Sequence, residues 1–246
     1  MSSKHLFHNV DGLVFKSLRG QISNNPSLSL IPADNVIFDT NHSRRKVSII
    51  SGGGAGHEPA WSGYVGKNML AAAALGDIFA SPRARQVESA IKSVPSDVGT
   101  LLVITNYTGD CLHFGMACEK ANASGDQLGR VAVIACGDDV SVGKKGNGLV
   151  GRRGLPGQIL GDYTSQNMDL TLADKWSTVL KVLGAAAENG KSFNDIETLG
   201  NSLKDQLVSI ATSLDHCHVP GRKEYSQIGD NTVEVGTGPH NEPVRF

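Results

Sequence analysis

A short apolar run, Val47-Ser48-Ile49-Ile50, leads straight into Ser51-Gly52-Gly53-Gly54-Ala55-Gly56-His57-Glu58-Pro59. No other feature constrains the fold as much. A strand that ends in three consecutive glycines leaves backbone N–H groups bare at its carboxyl end. Open α/β sheets catch small polar ligands at that edge. His57 and Glu58 follow at once, so the same loop offers an acid/base group. The competing reading is a plain strand-to-helix turn.

The rest of the first half alternates strand and helix signals. Ser81-Pro82 reads as a helix N-cap with proline at the first helical position. Ala84, Val87, Ala90, Ile91 and Val94 follow at helical spacing, and Pro95 ends the run. Leu101–Ile104 is a continuous apolar run, as expected of a buried strand. Asp110 stands where it could cap the next helix, whose apolar face is Phe114, Ala117, Cys118 and Ala121, with Gly125 closing it. Val131–Ala135 is a third buried strand. This order predicts an α/β fold with a mostly parallel sheet flanked by helices.

The second half is less regular. Residues 176–189 read as a helix with Val179, Val182, Leu183 and Ala186 on one face. Ser192 with Asp195 resembles a capping box ahead of Ile196, Leu199, Leu203 and Leu207. Val208–Leu214 and Val233–Val235 read as strands. Residues 137–161 carry many glycines and charges and read as a long loop. The 246 residues divide into an α/β first subdomain over 1–190, with 158–177 as an atypical insertion, and the start of a second over 191–246.

Composition excludes some classes. A net charge of −1 provides no bulk attraction to nucleic acid or membrane. No apolar run approaches the roughly 18 residues of a membrane span. Met1-Ser2-Ser3-Lys4-His5 lacks a signal-peptide core. Cys111, Cys118, Cys136 and Cys217 form no CxxC pair and read as reduced thiols of a cytoplasmic protein.

Several residues could do chemistry. Thr105-Asn106-Tyr107-Thr108-Gly109-Asp110 ends a buried strand, so Asp110 comes to the edge of the glycine stretch if the two strands are parallel neighbours. It can take a proton there, or only cap its helix. Asp138-Asp139 follows the third strand and could hold a metal or sugar hydroxyls, with a solvated loop preferred. Lys144-Lys145 and Arg152-Arg153 could meet phosphate or form a solvated loop. His216-Cys217-His218 has no second Cys/His cluster at zinc-like spacing, so no metal site is expected. His240 lies in a glycine/proline turn. A neutral imidazole can attack a carbonyl, but nothing in its spacing selects that role.

Taken together, Ser51–Pro59, Ile78-Phe79-Ala80-Ser81-Pro82, Asn106–Asp110, Gly151-Arg152-Arg153-Gly154, Ser213-Leu214-Asp215-His216-Cys217 and Gly238-Pro239-His240-Asn241-Glu242-Pro243 resemble the dihydroxyacetone (glycerone) kinase family, closest to its ATP-dependent fungal type. The resemblance implies a substrate-binding domain that holds dihydroxyacetone as a hemiaminal on His240. It implies a site of Gly53, Gly54, Ala55, Gly56, His57, Thr105 and Asp110, with His57 and Asp110 as general bases on the hydroxyl that receives phosphate. Covalent capture would orient a small triose and select carbonyl compounds over glycerol. ATP and Mg2+ are implied on a separate all-helical domain, acting in trans, along with a homodimer and glyceraldehyde as a second substrate. The implied setting is glycerol and triose catabolism. A triose-binding or regulatory fragment without kinase activity is the alternative.

The chain departs from the family in places. Thr105 stands where the family usually has lysine, Trp61 where it has histidine, and Pro239 where a bulky apolar residue precedes the nucleophile. Residues 158–177 and the tail Val244-Arg245-Phe246 do not match. The chain also stops short of the rest of the family's substrate-binding domain. The expectation is a shortened form or a gene-model product, inactive alone.

Overall fold

A computed structural model describes residues 7, 9–124, 129–140, 152–153, 178–209, 212–217, 219 and 228–235. Its centre is a six-stranded sheet in the order β1-β2-β4-β3-β5-β6. The strands are β1 Leu28–Ile31, β2 Val36–Asp39, β3 Ser48–Ala55, β4 Ala72–Ile78, β5 Thr100–Thr105 and β6 Val131–Cys136. β4, β3, β5 and β6 run parallel, and β2 and β1 add antiparallel at the β4 edge. The expected α/β fold with a mostly parallel sheet is therefore present.

Helices cover both faces, which is why the parallel strands are apolar throughout. On one face, α2 (Ala84–Ser93) and α3 (Thr108–Ala123) bury Val87, Ala90, Ile91, Phe114 and Ala117 against Ile50, Leu102 and Ile104. Phe114 is fully buried, and burying a side chain of that size contributes about 1.5–3 kcal/mol. On the other face, α1 (Leu13–Asn24), α4 (Thr178–Glu188) and α5 (Phe193–Gln206) pack with the 60–70 connection around Leu18, Trp61, Leu183 and Ile196. Phe193 and Ile196 of α5 share that core, across the boundary expected at residue 190.

Some expectations shift. α2 starts at Ala84 with Arg83 at its N-cap, so Ser81-Pro82 stands ahead of the helix. α3 has Tyr107 at its N-cap, and Asp110 lies inside the first turn and does not cap it. The buried face of α4 includes Leu180 and Ala187 beside Val179 and Leu183. Ser192 caps α5 as expected, accepting from the Asp195 N–H. Of the strands expected at 208–214 and 233–235, the described residues form only β7 (Thr212–Ser213) paired with β8 (Glu234–Val235), plus a bridge between Asp139 and Ser209. Trp176, Gly125 and the 158–177 insertion lie outside the described residues.

Three strands, β1, β2 and β4, were not legible at all. β4 begins Ala72-Ala73-Ala74, all fully buried, between β2 and β3. Alanine carries no strand preference. β2 is only four residues long.

Candidate functional site

The glycines are not a loop. Gly52 and Gly53 are paired residues of β3, opposite Ala74 and Leu75 of β4, and the register slips between Gly53 and Ala55. Close packing on that side demands them. A Cβ on Gly52 would sit on the Ala74 carbonyl oxygen. One on Gly53 would sit on the Trp61 indole nitrogen, and one on Gly54 would come within 2.8–3.0 Å of the Phe79 and Ala80 backbone. Only Gly56, at φ 98°, needs glycine for its backbone conformation.

On the other side β3 leaves its neighbour. Pairing with β5 ends at Ile50 opposite Leu102. Beyond that point the Ser51 hydroxyl donates to the Val103 carbonyl at 2.6 Å, a side chain bridging strands that have begun to diverge. The gap between the carboxyl ends of β3 and β5 is the candidate site. It is a cavity of about 230 Å3 lined by Gly53, Gly54, His57, Trp61, Phe79, Ser81, Thr105, Tyr107, Thr108, Gly109, Asp110 and Arg153.

His57 reaches the cavity stacked on Phe79, with ring centroids 4.8 Å apart and an interplanar angle of 17°. Phe79 is itself held in the left-handed region at φ 54°, its N–H donating to the Ala55 carbonyl. Asp110 comes from the opposite wall, in the first turn of α3. It is 3% exposed, and Thr105 Oγ1 donates to its Oδ2 at 3.1 Å. Thr105 thus orients the carboxylate.

Arg153 forms a third wall. Its guanidinium lies 5.0 Å from the Tyr107 ring centroid and donates to the Asn106 carbonyl at 3.2 Å. Asn106 Nδ2 returns a bond to the Arg152 carbonyl at 2.7 Å. The solvated-loop reading of Arg152-Arg153 is therefore corrected: both are half-buried and clasp the 106–107 turn. The same holds for Asp138-Asp139, which are 2% and 0% exposed. Ser209 Oγ donates to Asp138 at 2.6 Å, and the Asp139 N–H donates to the Arg153 carbonyl.

The structure thus brings Gly53, Gly54, His57, Thr105 and Asp110 together. Ala55 is buried away from the cavity and Gly56 is exposed, so neither lines it. His240, His218, Lys144 and Lys145 lie outside the described residues. His216 Nε2 sits 2.7 Å from the Glu234 carboxylate. Among the described residues no group of three or more His, Cys, Asp or Glu is placed to hold a metal ion, and no helix is long and apolar enough to cross a membrane. Phe79, Ser81, Tyr107 and Arg153 were not singled out for this site on physical grounds. Their residue types are ordinary, and only the fold brings them to this gap.

A larger cavity, about 440 Å3, opens at the opposite edge of the sheet. Lys46 pairs with Glu188 at 2.7 Å. His42 Nε2 lies 2.8 Å from Ser48 Oγ, whose single proton goes to the Val94 carbonyl at 2.6 Å, so Nε2 carries the hydrogen and donates. Burial lowers the pKa of His42, partly offset by Asp39. The folded state therefore favours neutral His42. Its contribution to stability is present above the unfolded value of about 6.5 and is lost as pH falls below it. Urea midpoints should drop more between pH 7.5 and 5.5 in the wild type than in His42→Gln. Equal drops would overturn this.

Three comparisons bear on the site. The Dak1 domain model matches residues 19–170 and 172–245. Dihydroxyacetone kinase 2 of Saccharomyces cerevisiae is 44% identical over 98% of this chain, which spans 38% of that protein's length. The dihydroxyacetone kinase from C. freundii, solved in complex with AMP-PNP and Mg2+, superposes with a TM-score of 0.82 at 33% identity over 98% of this chain and 42% of its own. A dihydroxyacetone kinase operon co-activator superposes with a TM-score of 0.78 at 32% identity, over 94% of this chain and 64% of its own.

Proposed function

This chain belongs to the Dak1 domain family, and from that premise we propose that it is the triose-holding part of a dihydroxyacetone kinase. One observation carries the reading. A small cavity at the strands' carboxyl edge faces an imidazole, His57, and a buried carboxylate, Asp110, across one space. At about 230 Å3 it lies below the roughly 300–1,000 Å3 of most ligand pockets and suits a triose rather than a nucleotide.

In this reading a ring nitrogen of His240 adds to the ketone carbon. The N–C bond forms, the carbonyl π bond opens, its oxygen takes a proton, and no atom leaves. His57 holds the triose. Asp110, oriented by Thr105, takes the proton of the hydroxyl that receives phosphate. ATP and Mg2+ supply the phosphoryl group and neutralise its charge. The residues lining this cavity do not fit them, and they are assigned to an all-helical domain acting in trans. The working setting is the cytoplasm, in glycerol and triose catabolism, with glyceraldehyde as a second substrate and a homodimer as the assembly.

Intact-mass spectrometry of the full chain with dihydroxyacetone tests the capture. The wild type should gain the whole mass of the triose, since addition expels no water, and His240→Ala should gain nothing. An adduct that persists in His240→Ala would overturn the assignment. The likeness to an operon co-activator favours a second reading, triose binding without phosphoryl transfer. ATP-dependent product formation, with the ATP-binding domain supplied, separates the two.

A further inference from the structure

Among the described residues that line the cavity, Arg153 is the one lysine or arginine. Among the described residues it forms no ion pair. Its single hydrogen bond, to the Asn106 carbonyl, uses one of five guanidinium N–H groups. The Tyr107 ring supports the guanidinium from one side and fixes its direction. A half-buried arginine with most donors unused and, among the described residues, no acid paired with it is matched to an anion that comes and goes.

Two further observations place that anion. The cavity also contains the start of α3, through Thr108 and Gly109, and this sixteen-residue helix carries no side-chain cap at its N-terminus. Its first amides lie outside the helical ladder, and its dipole favours negative charge there. The field of Arg153 also reaches Cys111, the residue after Asp110. Burial, and then the Asp110 carboxylate, push the Cys111 thiol above its usual range, and the Arg153 guanidinium opposes them.

We propose that Arg153 is the phosphate-recognising residue of this cavity, contacting the phosphoryl group of the phosphorylated triose together with the α3 N-terminus. The proposal rests on the cavity being the triose site. It gives this chain its own charge for the anion, at a site where position 105 is a threonine. As the hydroxyl's proton passes to Asp110 and the phosphoryl group arrives, the Arg153 guanidinium faces the new charge.

The test uses the full chain with three probes: dihydroxyacetone, dihydroxyacetone phosphate and inorganic phosphate. Arg153→Gln should weaken dihydroxyacetone phosphate at least tenfold, the effect of losing one hydrogen bond to a charged group. It should change dihydroxyacetone less than about threefold. Arg153→Lys should recover part of the loss, keeping charge but not the fork. Arg85→Gln, outside the cavity, should change neither ligand. If Arg153→Gln weakens both trioses alike, the arginine only braces the 106–107 turn and the proposal falls. If Arg153→Gln does not fold, Arg153→Lys and the wild-type salt dependence decide, since phosphate affinity must fall with ionic strength. Failure of the wild type to bind dihydroxyacetone would sink the triose reading alone, because the inorganic phosphate arm still reads Arg153. Failure to bind either phosphate probe sinks this inference.

Discussion

Asp110→Asn should reduce phosphoryl transfer by about 10²-fold or more, with the ATP-binding domain supplied, while triose capture stays near the wild-type level. The two steps separate because they use different atoms. Capture needs a nucleophile and an open carbonyl. Transfer needs a group that can take the hydroxyl's proton, and an asparagine cannot. The substitution keeps the shape of a side chain that is 3% exposed and held at 3.1 Å by Thr105 Oγ1. The fold should therefore survive, and circular dichroism will show it. A turnover near normal would mean that Asp110 serves only the first turn of α3.

Gly52→Ala should destabilise the fold by about 3 kcal/mol, the upper end for overpacking a core. The added methyl would sit on the Ala74 carbonyl oxygen and within 3.0 Å of the Phe114 ring. Neither can yield, since Ala74 is in the ladder and Phe114 is fully buried. At about 2–4 °C per kcal/mol for a chain of this size, the melting midpoint should fall by roughly 6–12 °C. Gly20→Ala is the control. It lies at an exposed position of α1 with nothing within 4 Å of an added Cβ, and should be neutral or stabilising. A small effect at Gly52 would show that β3 and β4 can move apart.

The glycine stretch was read correctly in position and wrongly in cause. A strand ending in glycines at the edge that carries the cavity was legible at Ser51–Gly56. That the glycines are paired strand residues, needed by Trp61, Phe79 and the Ala74 carbonyl, was not. Those partners lie up to 25 residues away along the chain and meet only in the fold. Asp110 was placed at the right edge but one turn deeper than a cap, because Tyr107 begins the helix. Arg153 and Asp138-Asp139 looked solvated because their stretch is glycine-rich and charged. Burial against Asn106, Tyr107 and Ser209 reverses that.

The sequence by itself determined the alternation of buried strands and amphipathic helices, the apolar faces of α2 and α3, and the Ser192 cap. Each is a local pattern of period or capping that needs no distant partner. The motifs also carried the family. Only the tertiary structure decided that β4, written in alanines, sits at the sheet's centre, and that β3 parts from β5 after Ile50. That parting makes the cavity and turns Phe79, Tyr107 and Arg153 into its walls. Such walls arise from close approach between distant segments, and residue type alone does not specify which segments approach.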